Sequence, residues 1–253
     1  MYPGFTSLLN ICVEGLQKGT FILIEDNQTD GSFIIHHFLS LFLKSNANIC
    51  LVGFAQTLVH YSTIAKKLGI NLNNFKEKGQ LKFIDGMSLF TECLDKTAEN
   101  SNPIDLRQFY LKLKSEVLSW QDDRPVLMIL DNISLLLNSG IDVNSLADFM
   151  HYCYTLTHSC NPNVCLLSLV HCDTDIVDND SVYLRNQLSY YASNRILIHG
   201  LETGYSKDVH GQIEVTKNYF EDADSSMETK LMQYKLTDKG VDFFPVGTSA
   251  AVL

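Results

Sequence analysis

A strand, a tight loop and a helix can be read in succession from Phe21–Leu43, and nothing else in the sequence narrows the fold as much. Phe21-Ile22-Leu23-Ile24 is a short apolar run with polar flanks, the pattern of a central parallel strand. Glu25-Asp26-Asn27-Gln28-Thr29-Asp30-Gly31 is dense in turn formers. From Ser32 to Leu43 the apolar residues Phe33, Ile34, Ile35, Phe38, Leu39, Leu41, Phe42 and Leu43 occupy most of a helical circumference, which predicts a helix packed between layers. Strand, loop and helix form the frame of the phosphate-binding motif G-x-x-x-x-G-K-[ST]. With Ser32 on the last motif position, Gly31 stands where the lysine belongs, Asp30 on the second glycine and Glu25 on the first. The frame is present and its chemistry is not. A phosphate cradle needs a cation and close backbone approach, whereas this one offers carboxylates. Each carboxylate about 4 Å from a phosphate oxygen costs roughly 1 kcal/mol even at the dielectric of water. The expectation is a nucleotide-binding architecture that has lost its own nucleotide.

The 253 residues, 45% hydrophobic and 19% charged, suit one α/β domain with a sizeable core. A formal net charge of -10 disfavours nucleic-acid binding by the chain at large, because neutralising phosphates takes clustered Lys and Arg. Any RNA contact is therefore local or shared with a more basic partner. The seven cysteines are scattered without a CxxC pair, which predicts reduced, buried thiols in a cytoplasmic or nuclear protein. Cys160, Cys165, His171 and Cys172 lie close in sequence, but their spacing matches no standard zinc site. The N-terminus lacks a signal-peptide pattern, and the longest apolar stretch is too short for a bilayer, so no membrane role is expected.

Further strands are predicted at Asn48–Ala55, within Gly79–Gly86, and at Pro125–Asp131, Val164–Val170 and Arg195–Ile198. Helices are predicted over Tyr2–Lys18 as a lead-in, then Gln56–Leu68, Ile104–Trp120, Val143–Thr157 and Ser181–Ala192. Glu99–Pro103 reads as a surface loop and His171–Asp180 as an acidic one. Alternating strands and helices imply a mostly parallel sheet. After Gly200 the pattern changes: His210–Lys217, Lys230–Leu236 and Val241–Phe244 alternate like strands, with Glu221–Thr229 as a polar loop and Thr237–Gly240 as a hairpin turn. A parallel core extended by antiparallel strands fits a single RecA-like domain spanning 1–253, with a helical lead-in over 1–18 and a C-terminal β extension over 200–253.

Asp131 ends the most apolar strand, as the Mg²⁺-holding Walker B aspartate does in P-loop enzymes. Without the upstream lysine it reads better as a strand-end polar residue. His36 and His37 are adjacent on a helix, about 100° apart, which is wrong for a shared metal and suits packing. Asp173, Asp175, Asp178 and Asp180 lack the glycine and terminal glutamate of a calcium loop. Lys66, Lys67, Lys76, Lys78 and Lys82 form the densest basic stretch and are the candidates for contacting RNA phosphates, unless they are simply a solvated face. Arg107, Arg124, Arg185 and Arg195 are few, and any of them could reach in trans toward a neighbour's nucleotide. No nucleophile elbow is present. Catalytic, cofactor and metal residues are therefore not assigned.

Four stretches resemble one known family: Thr29–Ser40, Asp148–Cys153, Gly200–Gln212 and Ala250–Leu253 are similar to the signature strings of the Elongator complex protein 6 family. The resemblance implies a RecA-like fold without working ATPase motifs. It implies assembly with Elongator subunits 4 and 5 into a six-membered ring, and through it contact with the remaining Elongator subunits. The ring would contribute tRNA handling to the modification of wobble uridines, while the radical chemistry belongs to another subunit. In such rings the loops after the fourth and fifth strands, here roughly Asn138–Asn144 and His171–Asp180, would face the centre. Two alternatives stay open: a divergent NTPase using Asp131, and a general adaptor with no RNA role.

Overall fold

A computed structural model describes Val13, Gly204 and residues 17–88, 105–159, 163–173, 178–201, 206–218, 227–237 and 240–247. The predicted lead-in over Tyr2–Lys18 and the loop Glu99–Pro103 lie almost wholly outside the described residues.

In chain order the elements are β1 (Phe21–Asn27), α1 (Ser32–Lys44), β2 (Asn48–Gly53), α2 (Leu58–Lys67), α3 (Leu72–Glu77), β3 (Leu81–Asp85), α4 (Leu106–Leu118), β4 (Val126–Asp131), α5 (Ser134–Asn138), α6 (Val143–Ser159), β5 (Val164–His171), α7 (Asn179–Tyr191), β6 (Asn194–His199), β7 (Gly211–Asn218), β8 (Met227–Thr237) and β9 (Gly240–Pro245). All the strands join one sheet in the order β3-β2-β4-β5-β1-β6-β7-β8-β9. The first six are parallel, and β7, β8 and β9 add on antiparallel. β1 sits between β5 and β6, pairing Ile22 with Leu167 and with Asn194.

The central strands are apolar because both of their faces are covered. Ile22 and Ile24 point to one side and pack with α1, α2 and α3. Phe21 and Leu23 point to the other and pack with α4, α6 and α7. α1 is buried around most of its circumference, from Ile34 through Ser40 and again at Phe42 and Leu43. It lies on β2 and β4 with α2 beside it, as its nearly continuous apolar pattern predicted.

Several boundaries and two short helices depart from the sequence reading. β1 runs on to Asn27, so Glu25 and Asp26 belong to the strand and not to the loop. Pairing to β5 and β6 on both sides overrides the local turn propensity there. The short helices α3 and α5 were not predicted, since five or six residues are too few to show a helical period. β8 begins at Met227, inside the stretch read as a loop, because β7 offers a partner along its full length. Among the described residues no helix is long and apolar enough to cross a membrane. The four described cysteines, Cys50, Cys153, Cys165 and Cys172, are buried free thiols.

Candidate functional site

The C-terminal ends of β1, β4 and β5 meet at the N-terminus of α1, where a P-loop protein would seat its phosphates. Alternation along β1 sends Glu25 and Asp26 to opposite faces. Asp26 turns toward α1 and is 1% exposed. Its Oδ2 accepts the Gly31 N–H at 2.9 Å, and Asp30 Oδ1 accepts the Ser32 N–H at 2.8 Å. A helix N-terminus favours an anion through its unpaired N–H groups and its dipole. Here the chain supplies that anion itself, so donors that a bound phosphate would take are already taken. Gly31 is held by packing and not by its backbone angles, since φ is -85°. A Cβ on it would come within 3.0 Å of Ile198 Cδ1 and 3.1 Å of Asp26 Cβ. A side chain where the motif would put its lysine would need Ile198 and Asp26 to give by a few tenths of an ångström.

His171, at the end of β5, closes the cradle. Its Nδ1 donates to Asp26 Oδ1 at 2.5 Å, and its Nε2 meets Asn132 Nδ2. The Asp26 hydrogen bond pushes the His171 pKa up against partial burial. Cys172 N–H donates to the Asp26 carbonyl at 2.8 Å, and Gln28 N–H to Asp173 Oδ1 at 2.8 Å. The loop after β5 is thus tied to the loop after β1.

Asp131 is 2% exposed, and its Oδ2 accepts the phenol of Tyr61 from α2. Burial pushes the Asp131 pKa up to about 6, with the Tyr61 hydrogen bond opposing. Burial and the carboxylate hold the Tyr61 phenol well above its ordinary range. Where a Walker B aspartate would reach Mg²⁺, this one is capped by a phenol. At neutral pH an ionised, buried Asp131 costs about 3 kcal/mol, because each pKa unit is worth about 1.4 kcal/mol. Asp131→Asn keeps an acceptor for Tyr61 and drops that penalty. It is expected to raise stability by about 1–3 kcal/mol at pH 7.5 and to give no gain near pH 4, as read from urea melts at both values. A loss of stability at pH 7.5 would contradict this account.

Glu25 does not face the cradle. It is fully buried on the other side of the sheet, where Arg195 Nη2 donates to Oε1 at 3.1 Å and to Oε2 at 2.8 Å, and Ser189 Oγ to Oε1 at 2.9 Å. Arg185 Nε adds an ion pair at 3.5 Å. Glu25 therefore leaves the degenerate cradle, while Asp26 joins it. The same contacts turn Arg185 and Arg195 inward, and Arg124 pairs with Asp122 at 2.6 Å, so these three arginines are engaged within the chain. Arg107 is exposed on α4.

Of the lysines, Lys66, Lys67, Lys76 and Lys78 are exposed, whereas Lys82 is engaged by the Glu116 carboxylate at 3.3 Å and the Glu116 carbonyl at 2.8 Å, and lies 4.2 Å over the Trp120 ring. Asp178 caps α7, accepting from the Asp180 and Ser181 N–H groups, and Asp173 holds the β1 loop. These are structural tasks, and among the described residues no three His, Cys, Asp or Glu side chains gather as metal ligands would. His36 and His37 are buried packing residues of α1, His36 against His60 and Tyr61. Sequence reasoning missed Asp26, Tyr61 and the role of His171. The one available signal was two successive carboxylates closing an apolar strand, which must point to opposite faces.

The structure is similar to that of a KaiC-like protein from the hyperthermophilic archaeon Pyrococcus horikoshii, with a TM-score of 0.64 and 12% identity over 96% of each chain. That likeness establishes the RecA-like fold. The sequence is 37% identical to Elongator complex protein 6 of Xenopus laevis, 34% to that of Danio rerio and 32% to that of Homo sapiens, with full coverage of both chains each time. Residues 2–238 match the family described as Elongation complex protein 6, and the chain belongs to that family.

Proposed function

We propose that this chain is a non-catalytic subunit of the Elongator complex. In this reading it joins Elongator subunits 4 and 5 in a hetero-hexameric RecA-like ring, in the cytoplasm and also in the nucleus. The ring supports modification of wobble uridines in tRNA by handling the tRNA. One observation carries the non-catalytic part: Asp26 and Asp30 occupy N–H groups at the α1 N-terminus, and a glycine stands at the lysine position. Family membership supports the assembly. A RecA-like subunit that keeps the frame and fills its own nucleotide site contributes shape and surface to a ring.

The test is co-expression with the two partner subunits, followed by mass measurement and tRNA titration over a range of salt. The expected result is a hetero-hexamer whose tRNA affinity falls steeply as salt rises. A chain that stays alone in the presence of both partners would overturn the assembly, and a ring indifferent to tRNA would leave only an adaptor. ATP turnover by the purified chain, abolished by Asp131→Ala, would favour the divergent NTPase instead.

A further inference from the structure

The chain carries a net charge of -10, yet between Gly31 and Ile84 it holds six lysines and a single acid, Glu77. That stretch spans α1, β2, α2, α3 and most of β3. Helix electrostatics alone does not produce the bias. Lysines in the last turns of α1, α2 and α3 do suit the helix dipole. The same physics would welcome acids in the first turns, and none of the three helices has one there. At α1 that place is taken by Asp26 and Asp30 from the preceding strand and loop, while the first turns of α2 and α3 hold no acid at all.

The topology gathers the charge at one end. The C-terminal ends of α1 and α3 lead to the start of the next strand, at the sheet end opposite the cradle, and the end of α2 lies beside that of α1. Lys44 Nζ donates to the Leu68 carbonyl at 3.4 Å, linking the ends of α1 and α2. Gln80 Nε2 donates to Asn46 Oδ1 at 3.1 Å, linking the turn after α1 to the turn after α3. Lys66 and Lys67 end α2, Lys76 ends α3 and Lys78 is its C-cap. All four are exposed, and the exposed amides of Asn73 and Asn74 lie among them. The cradle end instead carries Asp26, Asp30, Asp131 and Asp173.

We infer that Lys66, Lys67, Lys76 and Lys78, with Lys44 beside them, form the surface through which this subunit contacts the phosphate backbone of RNA. The inference rests on the tRNA-handling reading above. The contact is independent of base sequence, because exposed lysines act as point charges on flexible stems. It lies at the sheet end away from the nucleotide-type cradle, and it excludes Lys82, which Glu116 and Trp120 hold.

The test uses the assembled complex with Elongator subunits 4 and 5 and compares it with the same complex carrying Lys66→Gln, Lys67→Gln, Lys76→Gln and Lys78→Gln. Each lost phosphate contact lowers the slope of log affinity against log salt by about 0.7 to 0.9, so the four together should lower it by about 3. Affinity at moderate salt should fall at least about tenfold. Lys112→Gln, exposed on α4 across the sheet, should change neither quantity. If the fourfold variant does not fold, the two pairs are made separately, each expected to remove about half of the effect. Unchanged affinity and slope beside normal binding by the unaltered ring would overturn this surface and leave the function intact. Loss of ring assembly in the variant would also overturn it, marking the patch as a subunit interface. An unaltered ring that ignores tRNA would overturn both readings.

Discussion

Arg195→Met should lower the unfolding free energy by about 3–5 kcal/mol, because it strands a charge that has no route to water. Glu25 is 0% exposed, and Arg195 supplies two of its hydrogen bonds. Taking a carboxylate out of water costs several kcal/mol unless a partner compensates. Arg185 remains at 3.5 Å and Ser189 at 2.9 Å, which moves the expected loss toward the lower end. The double variant Glu25→Leu/Arg195→Met removes both charges and should recover much of the loss. A coupling energy above about 1 kcal/mol in the resulting cycle would be the signature of the pair. Urea melts at constant m provide the measurement. If Arg195→Met stays within about 1 kcal/mol of the parent, the pair is not what holds β6 and α7 to β1.

Acid should unfold the protein through α1. Burial lowers the pKa of His36 to about 4 and that of His37 to about 3, so both are neutral in the folded chain at pH 7. Their unfolded value is near 6.5. A depressed folded pKa gives stability that is full above the unfolded value and lost as pH falls below it. Each histidine therefore costs about 1.4 kcal/mol per pH unit below 6.5. Asp131 acts with the opposite sign. Its folded pKa of about 6 exceeds the unfolded value, so it returns about 1.4 kcal/mol per unit between pH 6 and 4. The net expectation is a loss of about 3 kcal/mol between pH 6.5 and 4.5. His171, raised by Asp26, adds stability that is lost as pH rises through its folded pKa. Stability should thus peak near pH 6.5. His37→Phe should remove most of the acid limb, because the gain at Asp131 then nearly offsets the remaining cost at His36, as followed by thermal melts across this range. An acid limb of unchanged slope would show that other groups control it.

The layout of the sheet was open to view in the sequence for a simple reason. Strands buried on both faces must be continuously apolar, so Phe21–Ile24, Pro125–Asp131 and Val164–Val170 declared themselves. The alternation of His210–Lys217 marked the switch to antiparallel pairing with equal clarity, because β7 alternates between buried and half-buried residues from Gly211 to Val215. The missing lysine was also plain, since a motif position is filled or it is not. Local pattern could not say how far β1 runs. Glu25 and Asp26 have turn-forming neighbours, and only pairing to β5 and β6 keeps them in the strand.

The sequence by itself therefore determined the class of fold and the loss of the phosphate motif's lysine and glycines, since both follow from which residue types stand at which spacing. The tertiary structure decided what fills the cradle. Asp26 meets His171 across 145 positions and Tyr61 meets Asp131 across 70, and no local rule pairs residues so far apart. It likewise decided that Lys82 faces Glu116 while the other lysines of its stretch face solvent. A side chain's partner depends on the face its strand or helix turns inward, and that is fixed only when the layers close.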